Sequence, residues 1–327
     1  MKTAVQTKSE HSGLRDWLAN QLAYEGPLET IAGDAGTRAY YRLTELKPER
    51  VVMVAPDQRH ACQAYLKVGE LLAQAGLHVP RVEAVDLNAG FMLLEDLGRV
   101  DYLAALSGAQ TSALMDSAID ALVRWQAATQ PDVLAHYDAE RLRAELDLFP
   151  SWYVQQHLGW QPDAQWYARW SRGCEQLIAA ACAQPQVWVH RDFMARNLMV
   201  SDPNPGIIDF QDALTGPLTY DLVSLLRDAF MSFSAADEAR WIDRYKHRAL
   251  AAGIALPTDL SRAMDWMGAQ RHLKVLGIFA RLRYRDQKPT YLDDAPRFWG
   301  YLRRELGAYT ELADFAVLLD DLPVPSA

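Results

Sequence analysis

Residues 187–221, VWVHRDFMARNLMVSDPNPGIIDFQDALTGPLTYD, restrict the possible fold more than any other part of the chain. An apolar run, Val187-Trp188-Val189, leads into His190-Arg191-Asp192, and Asn197 follows five positions after that aspartate. A turn-rich segment from Ser201 to Gly206 then leads to a second apolar pair, Ile207-Ile208, which ends on Asp209. The pattern predicts two short strands joined by a turn, each delivering a carboxylate at its end.

This order of residues suits phosphoryl transfer. An aspartate in H-R-D-x-x-x-x-N accepts the proton of an attacking hydroxyl. The asparagine and a later aspartate hold magnesium on the nucleotide phosphates. A hard cation wants oxygen ligands, and both residue types supply them. Asp192 is therefore the candidate base, and Asn197 and Asp209 the candidate metal ligands. The plainer reading is three polar residues that happen to lie near strand ends. It would be preferred for a lone HxD, but not for this full set in this order.

The run HRDFMARN resembles the catalytic loop of protein kinases. Its continuation, IIDFQDALTGPLTYDLVSLLRD, resembles the aminoglycoside phosphotransferase family of kinase-fold enzymes through Asp209-Phe210, Asp212, Gly216-Pro217 and Tyr220-Asp221-Leu222. No Ala-Pro-Glu follows, so a protein-kinase activation segment is not expected. The resemblance implies an α+β, protein-kinase-like two-lobe fold. A small, mainly antiparallel β amino lobe (1–98, with 1–10 a loose tail) would bind nucleotide. A larger helical carboxy lobe (99–327) would carry the catalytic loop and the substrate site. It further implies ATP and Mg²⁺ as cofactors, His190 and Asp221 as structural braces of the loop, and Asp212 as a substrate-side acceptor.

Composition narrows the partners. The net charge of −9 argues against a nucleic-acid or anionic-membrane surface. Cys62, Cys174 and Cys182 lack metal-ligand spacing, and the polar first ten residues lack the apolar core of a signal peptide. A cytoplasmic protein without a membrane or protein partner is expected.

The amino-terminal third reads as a helix around Leu14, Trp17, Leu18 and Leu22 with Ser12 as a possible cap, then strand-turn-strand over Leu28–Leu43. The turn, Gly33-Asp34-Ala35-Gly36-Thr37-Arg38, either closes a plain hairpin or presents N–H groups to phosphate. In the family's order this is the loop over the nucleotide. The third strand, Val51–Pro56, lacks the lysine that kinase-fold enzymes use on the α- and β-phosphates; Met53 and Val54 stand there instead. Arg38, Arg42 and Lys67 are the candidate replacements. Ala61–Gly76 predicts a helix, on which Glu70 is either the lysine's partner or simply solvated. Strands are predicted at Val79–Val82 and Phe91–Leu94. The second leads into Glu95-Asp96-Leu97, whose main chain the resemblance assigns to adenine.

The rest reads as helical. Trp152, Trp160, Trp166 and Trp170 fit a sugar-stacking surface or, better, a packed core, because Trp166 and Trp170 lie one turn apart. Leu260–Arg285 is one long periodic run with Arg271, Lys274, Ile278 and Arg281 on one side. That stripe is either a solvated basic face or a binding surface.

The runs DAGTRAYYRL, VVMVAP, GFMLLEDLG and QRHLKVLGIFARL resemble, more narrowly, the bacterial anomeric kinases of amino sugars in peptidoglycan recycling. That likeness implies ATP-dependent phosphorylation of N-acetylmuramate or N-acetylglucosamine, with Arg271 or Lys274 on the lactyl carboxylate that only the former carries. The alternatives are another small-molecule kinase, for an aminoglycoside, choline, homoserine or methylthioribose, or a nucleotide-binding pseudokinase scaffold.

Overall fold

The computed structural model describes residues 13–31, 38–106, 108 and 110–322. The expected tails, the Ser12 cap and the Gly33–Thr37 turn lie outside them. A helix over 13–22 (α1) precedes a five-stranded antiparallel sheet of order β1-β2-β3-β5-β4. Its strands are β1 (Leu28–Ile31), β2 (Ala39–Leu43), β3 (Arg50–Val54), β4 (Val82–Asp86) and β5 (Phe91–Glu95). The fourth strand begins at Val82 and not at Val79, because the chain first forms an isolated bridge from His78 to Gly206.

Alternating side chains give this sheet two apolar faces. Val52, Val54, Phe91 and Leu93 pack on Leu14 and Leu18 of α1. Met53, Met92 and Leu94 pack with Cys62, Tyr65, Val68 and Leu72 of α2 (Arg59–Gln74). The chain leaves the sheet through Gly98, whose φ of +100° is a backbone position that glycine takes without steric cost.

The remainder is mostly helical: α3 (Tyr102–Ala105), α4 (Thr111–Ala127), α5 (Ala139–Leu146), a π-helical turn (Phe149–His157) and α6 (Ala164–Cys182) come first. Four short strands follow: β6 (Gln186–Val189), β7 (Leu198–Met199), β8 (Gly206–Ile207) and β9 (Leu214–Pro217). The chain ends with α7 (Tyr220–Leu226), α8 (Ala235–Ala251), α9 (Leu260–Tyr284), α10 (Ala295–Gly307) and α11 (Ala313–Asp320). Aspartates start several of these helices. Asp101, Asp138, Asp163 and Asp259 each accept an N–H from the third residue onward, which satisfies a donor the helix cannot.

The expectation of two strands joined by one turn needs correction. β6 pairs with β9, while the turn over 200–205 joins β7 to β8. The two carboxylate-bearing segments therefore belong to neighbouring ribbons.

Helix α9 runs through the middle of the helical region and is buried on nearly every side. A Cβ on Gly277 would lie 2.6 Å from the Leu148 carbonyl carbon, so glycine there lets α9 touch the backbone before the π-helical turn. Trp166 and Trp170 stack at 5.5 Å inside this core, which settles them as packing residues. Among the described residues no helix is long and apolar enough to cross a membrane.

Candidate active site

Asp221, at the start of α7, is fully buried and accepts the main-chain N–H groups of His190 (2.6 Å) and Arg191 (2.9 Å). Arg191 has a φ of +76°, costly for a residue with a Cβ, and the Asp221 carboxylate helps to hold it there. Burial pushes the Asp221 carboxyl up to about 6, although His190 and the two N–H groups pull it down. His190 is also buried. Its Nε2 donates to the Ile208 carbonyl at 3.1 Å, and its Nδ1 accepts from the Asp192 N–H at 3.3 Å. The imidazole thus joins the segment before Asp209 to the segment carrying Asp192.

The Asp192 carbonyl accepts the Asn197 side-chain amide at 2.9 Å and the Met194 N–H at 2.9 Å. Asn197 keeps Oδ1 as its remaining donor atom for a cation, and its own carbonyl takes the Ile208 N–H at 3.1 Å. Asp209, at φ +61°, turns its side chain outward to 45% exposure. The protein crowding around it still raises its carboxyl above the ordinary range, the Asp192 carboxylate adds to the rise, and Gln211 and Arg38 oppose it. The structure therefore brings Asp192, Asn197 and Asp209 together. Their donors are hard oxygens, which fits a magnesium ion. Among the described residues no three His, Cys, Asp or Glu side chains could hold a metal alone.

The three replacement cations separate clearly. Arg42 is committed to Asp96 and to the Gly98 carbonyl at 2.9 Å, so it braces the segment after β5. Lys67 donates to the Val133 carbonyl. Arg38, at the edge of β2, alone of the three points to Asp209, with Nη1 3.7 Å from Asp209 Oδ1. Met53 is 1% exposed beneath α2 and gives the cleft no surface. Glu70 is exposed and contacts only Gln74 among the hydrogen bonds described. Glu95 gives its N–H to the Arg81 carbonyl at 2.9 Å, and Asp96 caps the Gly98 N–H at 2.9 Å. Leu97 packs in the interior beside Gly206. Gly33, Asp34, Gly36 and Thr37 lie outside the described residues. Phe210 packs against Tyr65 of α2, ring centroids 4.6 Å apart and planes tilted by 35°, and joins the Asp209 segment to the sheet region.

On the substrate side, Asp212 is an exposed loop carboxylate whose main-chain carbonyl receives Arg191 at 3.4 Å. The basic stripe of α9 is not a solvated face: Arg271 is 3% and Lys274 7% exposed. Lys274 donates to the Tyr220 hydroxyl at 2.9 Å and pairs with Glu145 of α5 at 3.2 Å. Glu145 also receives Arg191 and the Tyr137 hydroxyl. Burial opposes ionisation of Glu145, but Lys274 and Arg191 outweigh it and hold its carboxyl below the ordinary range. The sequence reading missed this hub, because Glu145 lies 46 residues from Arg191 and no local pattern links them.

Asp228, just beyond α7, is 1% exposed and was also missed. Burial raises its carboxyl from 3.8 to about 6, against the attraction of Arg271. A carboxyl raised on folding contributes full stability below its unfolded pKa and loses it as pH rises through the folded one. Asp228→Asn is thus expected to match the native chain near pH 4 and to be more stable by about 3 kcal/mol at pH 7. Urea unfolding of both proteins across that range checks it; a difference independent of pH would contradict it.

Comparison with known proteins agrees with this geometry. The family described as phosphotransferase enzymes matches residues 27–266. An N-acetylmuramate/N-acetylglucosamine kinase of Pseudomonas aeruginosa is 48% identical over 91% of this chain and 89% of its own length. One from Neisseria meningitidis is 42% identical over 94% and 95%. Among solved structures, ADP-bound aminoglycoside phosphotransferase APH(2'')-Ib superposes with a TM-score of 0.63 at 16% identity, covering 89% of this chain and 97% of that one. Choline kinase LicA from Streptococcus pneumoniae gives 0.65 at 13%, covering 91% and 99%. At such identities these two establish the fold alone, a protein-kinase-like one. With its matched family spanning most of the sequence, the chain belongs to the phosphotransferase enzyme family.

Proposed function

We propose that this protein is an ATP-dependent kinase that phosphorylates the anomeric hydroxyl of N-acetylmuramate and N-acetylglucosamine. The relatives carry the reading of the sugars: proteins named N-acetylmuramate/N-acetylglucosamine kinase are 42% to 48% identical over nine-tenths of the chain. The convergence of Asp192, Asn197 and Asp209 supports it independently.

In this account Asp192 orients the sugar's C1 hydroxyl and takes its proton as the oxygen attacks the γ-phosphorus; ADP leaves on the opposite side. Asn197 and Asp209 would hold Mg²⁺, which supplies charge neutralisation on the triphosphate when bound. His190 and Asp221 hold the loop, so Asp192 meets the hydroxyl without reorganisation. The main chain at Asp96–Leu97 is left for the adenine edge, since the Glu95 N–H is already bonded.

Arg38 fills the role of the strand lysine. It pairs with Asp209 at 3.7 Å and would reach the α- and β-phosphates of the nucleotide. Arg38→Met is expected to weaken MgADP binding about 10- to 100-fold, the range for a lost charged hydrogen bond, with sugar affinity unchanged. Calorimetric titration with MgADP and with each sugar checks this. Unchanged MgADP affinity would remove Arg38 from the site.

ADP release with Mg-ATP against N-acetylmuramate, N-acetylglucosamine, N-acetylgalactosamine, kanamycin, choline and homoserine tests the function itself. Turnover confined to the amino sugars supports it. Turnover with another acceptor would retain the mechanism and discard the substrate.

A further inference from the structure

Helix α9 carries polar atoms that the transfer chemistry does not use. At 100° per residue, positions 270, 271, 274 and 278 fall within about 100° of arc, so they share one face. Lys274 on that face is neutralised by Glu145 and bonded to Tyr220. Arg271, one turn earlier, is 3% exposed, and its Nε and Nη1 have no hydrogen-bond partner among the described residues. Gln270 is fully buried with neither amide atom bonded. Asp228 uses Oδ1 on the Ala229 N–H at 2.6 Å and leaves Oδ2 unbonded.

Arg271 and Lys274 both approach Tyr220, the residue before Asp221. The Tyr220 ring lies beneath both cations, 5.5 Å from Lys274 Nζ and 6.0 Å from the Arg271 guanidinium carbon. Lys274 in turn feels the charge of Asp192. Buried polar groups are normally paired, and a cluster left unpaired marks a place that a polar ligand completes. The unbonded donors sit on a planar guanidinium, which matches a carboxylate better than an ammonium does.

We propose that Arg271, framed by Asp228 and Gln270, reads the carboxylate of the 3-O-lactyl group of N-acetylmuramate, and that Lys274 does not. Lys274 is a positioning residue that holds Glu145, and through it Arg191, in place. Gln270 takes a neutral polar atom of the same substituent, and Asp228 supplies a negative charge near the guanidinium. The inference rests on the amino-sugar kinase reading and adds to it the group that separates the two sugars.

The test compares KM for N-acetylmuramate, its methyl ester and N-acetylglucosamine in the native enzyme, Arg271→Met and Arg271→Lys. In the native enzyme the ester, which keeps the shape and loses the charge, is expected to bind about tenfold or more weakly than the acid. Arg271→Met should raise KM for the acid about 30-fold, to the level of the ester, and change N-acetylglucosamine less than about threefold. Arg271→Lys should recover part of the loss. Equal weakening of both sugars in a variant that still binds MgADP overturns the proposal, as does a native enzyme indifferent to esterification. If Arg271→Met fails to fold, Arg271→Lys is compared in its place: a raised KM for the acid with N-acetylglucosamine unchanged supports the proposal, and no change for either sugar overturns it. A native enzyme that turns over neither sugar would instead overturn the functional reading beneath it.

Discussion

An Asp192→Asn enzyme is expected to turn over about 10³-fold more slowly than the native one while binding MgADP with the same affinity. Asparagine has nearly the same shape, so the loop should keep its structure. The ties that hold it are main-chain ones: the Asp192 carbonyl to Asn197 and Met194, and the Asp192 N–H to His190. None needs the carboxylate. What is lost is the proton acceptor for the attacking hydroxyl. Single-turnover kinetics with saturating MgATP and sugar, beside a MgADP titration, separate the two effects. A fall in nucleotide affinity matching the fall in rate would mean that Asp192 serves the metal site and not the sugar.

Glu145→Ala carries the second large expectation, a loss of about 3–5 kcal/mol of stability. The side chain is 15% exposed and answers two cations, Arg191 and Lys274, besides the Tyr137 hydroxyl. Removing it strands both positive charges where water reaches them poorly, and desolvation then acts without compensation. Turnover should fall too, because Arg191 precedes Asp192 and already sits in a left-handed conformation. Glu145→Gln keeps an acceptor but no charge and should lose less. Urea midpoints for the three proteins check the order native, glutamine, alanine. An alanine variant as stable as the native chain would show that Arg191 and Lys274 find other partners.

The same residues explain how far the sequence could be read. His190, Asp192, Asn197, Asp209 and Asp221 lie within 32 residues, and their partnerships are fixed by short ribbons and by hydrogen bonds to nearby main chain. Local spacing singled out Asp192, Asn197 and Asp209, and the family resemblance added His190 and Asp221. Strand pairing was less legible, since β6 pairs with β9 across the whole catalytic loop. The start of β4 was misplaced for the same reason: His78 and Val79 look extended and apolar but serve the bridge to Gly206. The basic stripe on α9 was visible, yet its burial was not. Only tertiary structure supplies Glu145, 129 positions before Lys274, as the counter-charge. Arg38 could be named only as one of three cations until Arg42 and Lys67 were found bonded elsewhere.

The most direct measurement is the structure of the product. After reaction of N-acetylmuramate with Mg-ATP, a phosphorus–proton correlation spectrum reports which sugar proton couples to the new phosphate. The account predicts coupling to the anomeric proton, with one ADP formed per sugar phosphorylated. Coupling to the C6 methylene protons, or ADP formed with no phosphosugar at all, would contradict it.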